Sequence, residues 1–152
     1  MSCIIDIMNH VDNTTIDLEE VEQFIQKIFD YLGIDEKECS LTFCDDKEIS
    51  ELNLNYRKKD GPTDILSFVQ QDEADEDFPI DESILGDMII SLDTLKRNAK
   101  YFNVTEYEEL HRLLIHGILH LSGMDHVTND SYETMLLLQE KMLKNLLEKR
   151  VE

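Results

Sequence analysis

The chain has 152 residues, a length that suits one domain, 1–152, with a substantial core. It carries 34 acidic against 14 basic residues, a net charge of −20, and a polyanion of that strength repels other polyanions, which excludes non-specific coating of nucleic acid. An apolar fraction of 41% is ordinary for a globular protein, and no apolar run is long enough to span a bilayer, which excludes a helical membrane protein.

In chain order, Met1-Ser2-Cys3-Ile4-Ile5-Asp6-Ile7 places an acid inside an apolar run. It reads as the start of a strand over Cys3 to Met8 and not as a secretion signal. Cys3, Cys39 and Cys44 are odd in number, so they read as reduced thiols of a cytoplasmic protein. Leu18 to Leu32 keeps helical spacing through Val21, Ile25, Ile28 and Leu32, with Gly33 as its stop. Cys39 to Cys44 reads as a second strand. Asp46 to Tyr56 reads as a helix with acids early, where the helix dipole favours them.

Arg57-Lys58-Lys59-Asp60-Gly61-Pro62-Thr63-Asp64 follows, three consecutive cations and then a Gly-Pro turn. A basic loop entering a strand, here Ile65 to Val69, can clamp a phosphate or carboxylate. Arg57 is the residue suited to bidentate capture, with Lys58 and Lys59 beside it. The same run also fits a solvated loop that relieves acidic crowding. Gln70 to Glu82 is an acidic connection without the alternating pattern or central glycine of a calcium loop.

Ile84 to Leu92 reads as a strand, and Asp93 to Phe102 as a helix whose Lys96, Arg97 and Lys100 form a second basic cluster. Thr105-Glu106-Tyr107-Glu108 has the form of a capping box that opens the next helix. Asp130 to Arg150 is a final amphipathic helix, with Met135, Leu138, Met142, Leu143 and Leu146 as its core stripe. Strands and helices mix without a strict βαβ rhythm. The expected fold is therefore α+β, a single mixed sheet of about four strands packed with helices.

The chain is organised around His116-Gly117-Ile118-Leu119-His120-Leu121-Ser122-Gly123-Met124-Asp125-His126. His116 and His120 stand one turn apart on one helix face. Gly123 suits the helix end, and a turn there can return His126 to the same point. Three histidines with an open fourth position make a catalytic zinc arrangement, whereas a closed set of four would be structural. No formal charge falls from Leu113 to His120, so the helix is expected to be central, with its ligands facing a cleft. The metalloprotease pattern His-Glu-x-x-His-x-x-Gly-x-x-His is matched except at the glutamate, which Gly117 replaces. That glutamate is the protease's general base, so its loss argues against peptide hydrolysis. Asp125 has two readings, orienting a ligand imidazole or stabilising the turn at Gly123.

These residues together resemble the YbeY family of bacterial endoribonucleases. The histidine stretch resembles that family's signature. Leu52-Asn53, Tyr56-Arg57 and Pro62-Thr63-Asp64-Ile65-Leu66-Ser67-Phe68 look like its second block, and Leu85-Gly86-Asp87-Met88-Ile89-Ile90-Ser91 like its third. His111 matches a frequent family position. Met124 stands where tyrosine is usual and Val69 where proline is common, and neither is a ligand position.

The resemblance implies a zincin-like centre with one Zn2+ held by His116, His120 and His126 plus water. It implies a zinc-dependent, single-strand-specific endoribonuclease that matures ribosomal RNA at the small-subunit 3′ end and serves ribosome quality control. Arg57 is implied to meet the scissile phosphate. Lys58 and Lys59 are candidate substrate contacts. The implied partners are single-stranded or ribosomal RNA and the ribosome or its basic proteins, with no membrane. Ligation needs unprotonated imidazoles, so activity is expected to fall as pH drops through roughly 6. Three other readings stand beside this one: a non-catalytic ribosome assembly factor with structural zinc, a zincin-like metallopeptidase, and an acidic interaction module with no metal.

Overall fold

A computed structural model describes residues 3–12, 15–70, 81–124 and 129–147. The elements run β1 (Ile4–Asn9), α1 (Leu18–Leu32), β2 (Glu38–Cys44), α2 (Asp46–Arg57), β3 (Ile65–Val69), β4 (Ile84–Ser91), α3 (Leu92–Phe102), α4 (Glu106–Leu121) and α5 (Asn129–Leu147). The four strands make one mixed sheet in the order β1-β2-β4-β3. β1 pairs parallel with β2, and β2 parallel with β4, while β3 runs antiparallel to β4 at the edge. The fold is α+β with a single mixed sheet, as expected. The crossover through α1 is nevertheless a local βαβ unit, because α1 carries the chain back so that β2 runs beside β1 in the same direction.

Helix boundaries follow their end chemistry. Asp17 caps α1 by accepting from the amides of Glu19 and Glu20, and Gly33 closes it at a φ of 71°. Asp45 caps α2 through Glu48 N, and Ser91 caps α3 through Thr94 N. At α4 the capping box is half made. Thr105 accepts from Glu108 N at 2.9 Å, but the Glu108 carboxylate turns to Arg112 instead of returning to the cap.

The two faces of the sheet differ. Alternation places Leu41, Phe43, Met88 and Ile90 on one face, in a cluster with apolar residues of α1, α3, α4 and α5. A smaller cluster on the other face joins Cys44, Leu66 and Phe68 to Ile49 and Leu52 of α2. α4 packs against α1, α3, α5, β3 and β4. Leu110, Leu113, Leu114, Ile115, Ile118, Leu119 and Leu121 are all buried along it. That encirclement explains why the stretch from Leu113 to His120 lacks formal charge, since each unpaired charge there would be stranded away from water. Among the described residues, no helix is long and apolar enough to cross a membrane. Cys3, Cys39 and Cys44 are free and buried thiols.

Candidate metal centre

α4 meets the sheet at unusually close range. A Cβ on Gly117 would stand 2.5 Å from Met88 Sδ and 2.9 Å from Ile65 Cδ1. Gly117 therefore occupies the contact between α4 and β3–β4, and a glutamate there would require Met88 and Ile65 to shift.

With Gly117 against the sheet, His116 and His120 are carried to the helix flank, both half-buried. Their Nε2 atoms stand 3.2 Å apart. Two nitrogens bound to one tetrahedral zinc, each about 2.0–2.1 Å from the ion, lie roughly 3.3 Å apart. The pair thus has the spacing of two ligands on one ion. It also lies in the last two turns of α4, where the negative end of the helix dipole favours a cation. The helix then closes as its sequence requires. Ser122 is the cap, Gly123 takes a φ of 101°, and the amides of Gly123 and Met124 return to the carbonyls of His120 and Leu119. His126 and Asp125 lie outside the described residues. Among the described residues, no three metal-ligating side chains gather, so the centre is seen as a pair.

Two other histidines are committed elsewhere. His111 is fully buried, with Nδ1 2.6 Å from the Tyr107 carbonyl and Nε2 3.0 Å from the Glu20 carboxylate, a clamp between α4 and α1. His10 lies at the surface against Glu48, at 3.0 Å.

The neighbours of His116 were not singled out in the sequence reading. Gln139 of α5 is buried, and its Oε1 lies 2.6 Å from His116 Nδ1. Gln139 Nε2 donates to Glu140 Oε2 at 3.1 Å. Glu140 in turn accepts from Arg112 Nε at 2.9 Å. Arg112 also reaches Glu108 at 2.9 Å and Glu109 at 3.2 Å. Hydrogen bonds from Arg112 hold the Glu140 carboxyl below its usual range, against the opposing effect of burial. Burial pushes the Glu109 carboxyl up, and Arg112 offsets only part of that. The signal in the sequence was a polar amide four residues after Met135 and three before Met142, inside an apolar stripe.

Arg57 is the last residue of α2 and is exposed. Lys58 follows in the left-handed conformation at φ 59°, its Nζ donating to the Asn55 carbonyl at 3.1 Å. Lys59 is exposed. The three cations share one corner, at the C-terminal end of α2. Beside them the ring of Tyr56, 66% exposed, meets Phe68 edge-on at 5.5 Å. On β3, Ser67 alternates onto the face of Ile65, toward α4. Its Oγ is the one buried side-chain polar atom among the described residues with no partner. The second basic cluster does not stand free, because Arg97 is bound to Asp46 at 2.7 Å.

A separate cavity of about 470 Å3 lies at the opposite end of α4, lined by residues that include Asp17, Glu20, Lys96 and Tyr107. It is remote from the histidine pair. Of the acidic connection, residues 71–80 lie outside the described residues.

Similarity to known proteins extends over most of the chain. The family model described as Endoribonuclease YbeY matches residues 6–147. Endoribonuclease YbeY of Treponema denticola is 47% identical over 129 residues, covering 85% of this chain and 83% of the relative. That of Borreliella burgdorferi (strain B31) is 47% identical over 126 residues, covering 80% and 81%. That of Treponema pallidum (strain Nichols) is 43% identical over 124 residues, covering 82% and 78%. A solution structure of a Thermotoga maritima protein matches with a TM-score of 0.69 at 28% identity, covering 96% of this chain and 91% of that one.

Proposed function

The chain belongs to the Endoribonuclease YbeY family, and from that membership we propose that it cleaves single-stranded RNA at a zinc centre on the end of α4. The RNA it serves is ribosomal, at the small-subunit 3′ end, with the ribosome or its basic proteins as the docking partner. The observation that carries this reading is the convergence of His116 and His120 Nε2 at 3.2 Å. His126 is the third ligand in the proposal, and Asp125 supports a ligand or the turn.

Zinc held there would supply Lewis acidity toward a phosphoryl oxygen. The protein's own residues do the rest. Arg57 binds the scissile phosphate and neutralises charge that develops on it. Lys58 and Lys59 hold the flanking backbone. These cations form a local exception in a chain of net charge −20, so RNA is admitted at one place and repelled elsewhere.

The test is cleavage of single-stranded RNA by rigorously purified protein beside Arg57→Glu and His120→Ala, with bound metal quantified in each. The proposal expects near-stoichiometric zinc in the wild type, cleavage lost in both variants, and zinc kept in Arg57→Glu. Equal cleavage by all three overturns it. Zinc binding in the wild type without any cleavage would favour the assembly-factor reading instead. The peptidase reading lacks its base at Gly117, where a side chain would also have to displace Met88 and Ile65.

A further inference from the structure

We propose that Gln139 of α5 is a positioning residue that sets the tautomer of His116 and so prepares its Nε2 for the metal. The inference rests on the metal-centre reading above.

The argument runs through four residues whose donors and acceptors leave one consistent arrangement. Arg112 carries only donors. Glu140, held ionised by Arg112, carries only acceptors, and its Oε2 receives Arg112 Nε at 2.9 Å and Gln139 Nε2 at 3.1 Å. The amide of Gln139 is thereby oriented: its NH2 end faces a carboxylate, so its carbonyl end must face His116. Flipping the amide would set two acceptors against each other at Glu140. The Gln139 Oε1 is an acceptor, so the 2.6 Å contact requires His116 Nδ1 to carry the hydrogen. A neutral imidazole protonated at Nδ1 has a bare lone pair at Nε2. That is the atom 3.2 Å from His120 Nε2.

Burial makes the arrangement strict. Gln139 is 5% exposed, so water does not compete for its carbonyl, and a mispaired amide would leave polar atoms unsatisfied. The device joins two helices. Arg112 and His116 are one turn apart on α4, and Gln139 and Glu140 adjoin on α5, so the ring is oriented by how α5 docks. Partners that orient a ligand imidazole typically change metal affinity about 10–100-fold when removed.

The first measurement uses the unaltered apo protein. Nitrogen-15 spectra of its histidine rings at about pH 8 should show His116 with hydrogen on Nδ1 and a bare Nε2. The opposite tautomer overturns the proposal without any variant. The second measurement is zinc affinity by chelator competition, with the thermal stability of each apo protein recorded. Gln139→Leu is expected to bind zinc about 10–100-fold more weakly, with His116 shifted to mixed tautomers. The exchange Gln139→Glu with Glu140→Gln restores an acceptor opposite Nδ1 and a donor beside it, and is expected to recover affinity and tautomer together. Wild-type affinity in Gln139→Leu, or no recovery in a folded exchange variant, overturns the proposal. Failure of the wild type to bind zinc would instead sink the metal reading on which it rests.

Discussion

A side chain at position 117 would begin inside space held by Met88 and Ile65. Gly117→Glu, which completes the protease pattern in sequence, is therefore expected to force a carboxylate against a closed sheet–helix contact. The cost of an uncompensated buried charge is about 3–5 kcal/mol. Urea denaturation should show a loss of that order and no peptidase activity, whereas an unchanged midpoint would mean the contact is loose. The sequence already showed that the glutamate is missing. It did not show why, because the distance from α4 to β4 is a tertiary quantity. The thiols show the same divide. Their odd number argued for reduced cysteines, while burial, which pushes Cys39 and Cys44 up to about 12, is what makes them poor nucleophiles in the folded chain. Gln139 was illegible for a related reason, since a periodicity argument assigns a face and does not say which atom a buried amide must satisfy.

At the scale of elements, the tie between α2 and α3 is the Asp46 carboxylate. It accepts from Ser91 Oγ at 2.8 Å, Thr94 Oγ1 at 2.6 Å and Arg97 at 2.7 Å. Burial alone would push this carboxyl up, but the hydrogen bonds from Arg97, Thr94 and Ser91 outweigh it and hold the carboxyl below its ordinary value of 3.8. A depressed folded value contributes stability that is present above the unfolded value and lost as pH falls through the folded one. Asp46→Asn should thus be less stable than the wild type at pH 7, with the gap closing as pH falls below 3.8. A gap that stays constant from pH 7 to pH 2 would assign the loss to shape and not to charge. Sequence periodicity located every strand and helix to within a few residues, because caps and apolar spacing are local. It read Lys96, Arg97 and Lys100 as a cluster, because the acid that claims Arg97 lies on another helix. His111 is similar: the resemblance marked its position, but its partner Glu20 comes from α1.

For the whole molecule, acidity and RNA binding are reconciled only if contact is confined to a small basic corner. Single-stranded RNA affinity should then fall with salt at a log–log slope of about −0.7 per neutralised phosphate, or roughly −2 for Arg57, Lys58 and Lys59 together. Lys59→Ala should reduce the slope by about 0.7. An unaltered slope would show that RNA does not pass that corner. Fold class was legible from the mixture of elements. The order β1-β2-β4-β3 was not, since nothing in a local pattern says that β4 inserts between β2 and β3. The histidine pair was legible because both imidazoles share one helix. The corner at Arg57 was legible as charge and, through the family resemblance, as a phosphate contact, but no local pattern gives its distance from the histidines.

The contact at Gly117 also makes Met88 a reporter of how firmly α4 lies on the sheet. Met88, whose sulfur faces that glycine, is fully buried and so shielded from peroxide while α4 lies on the sheet. Its conversion to the sulfoxide therefore counts the moments when α4 lifts away. Once oxidised, the added oxygen has no room beneath the helix, and each such opening becomes harder to reverse.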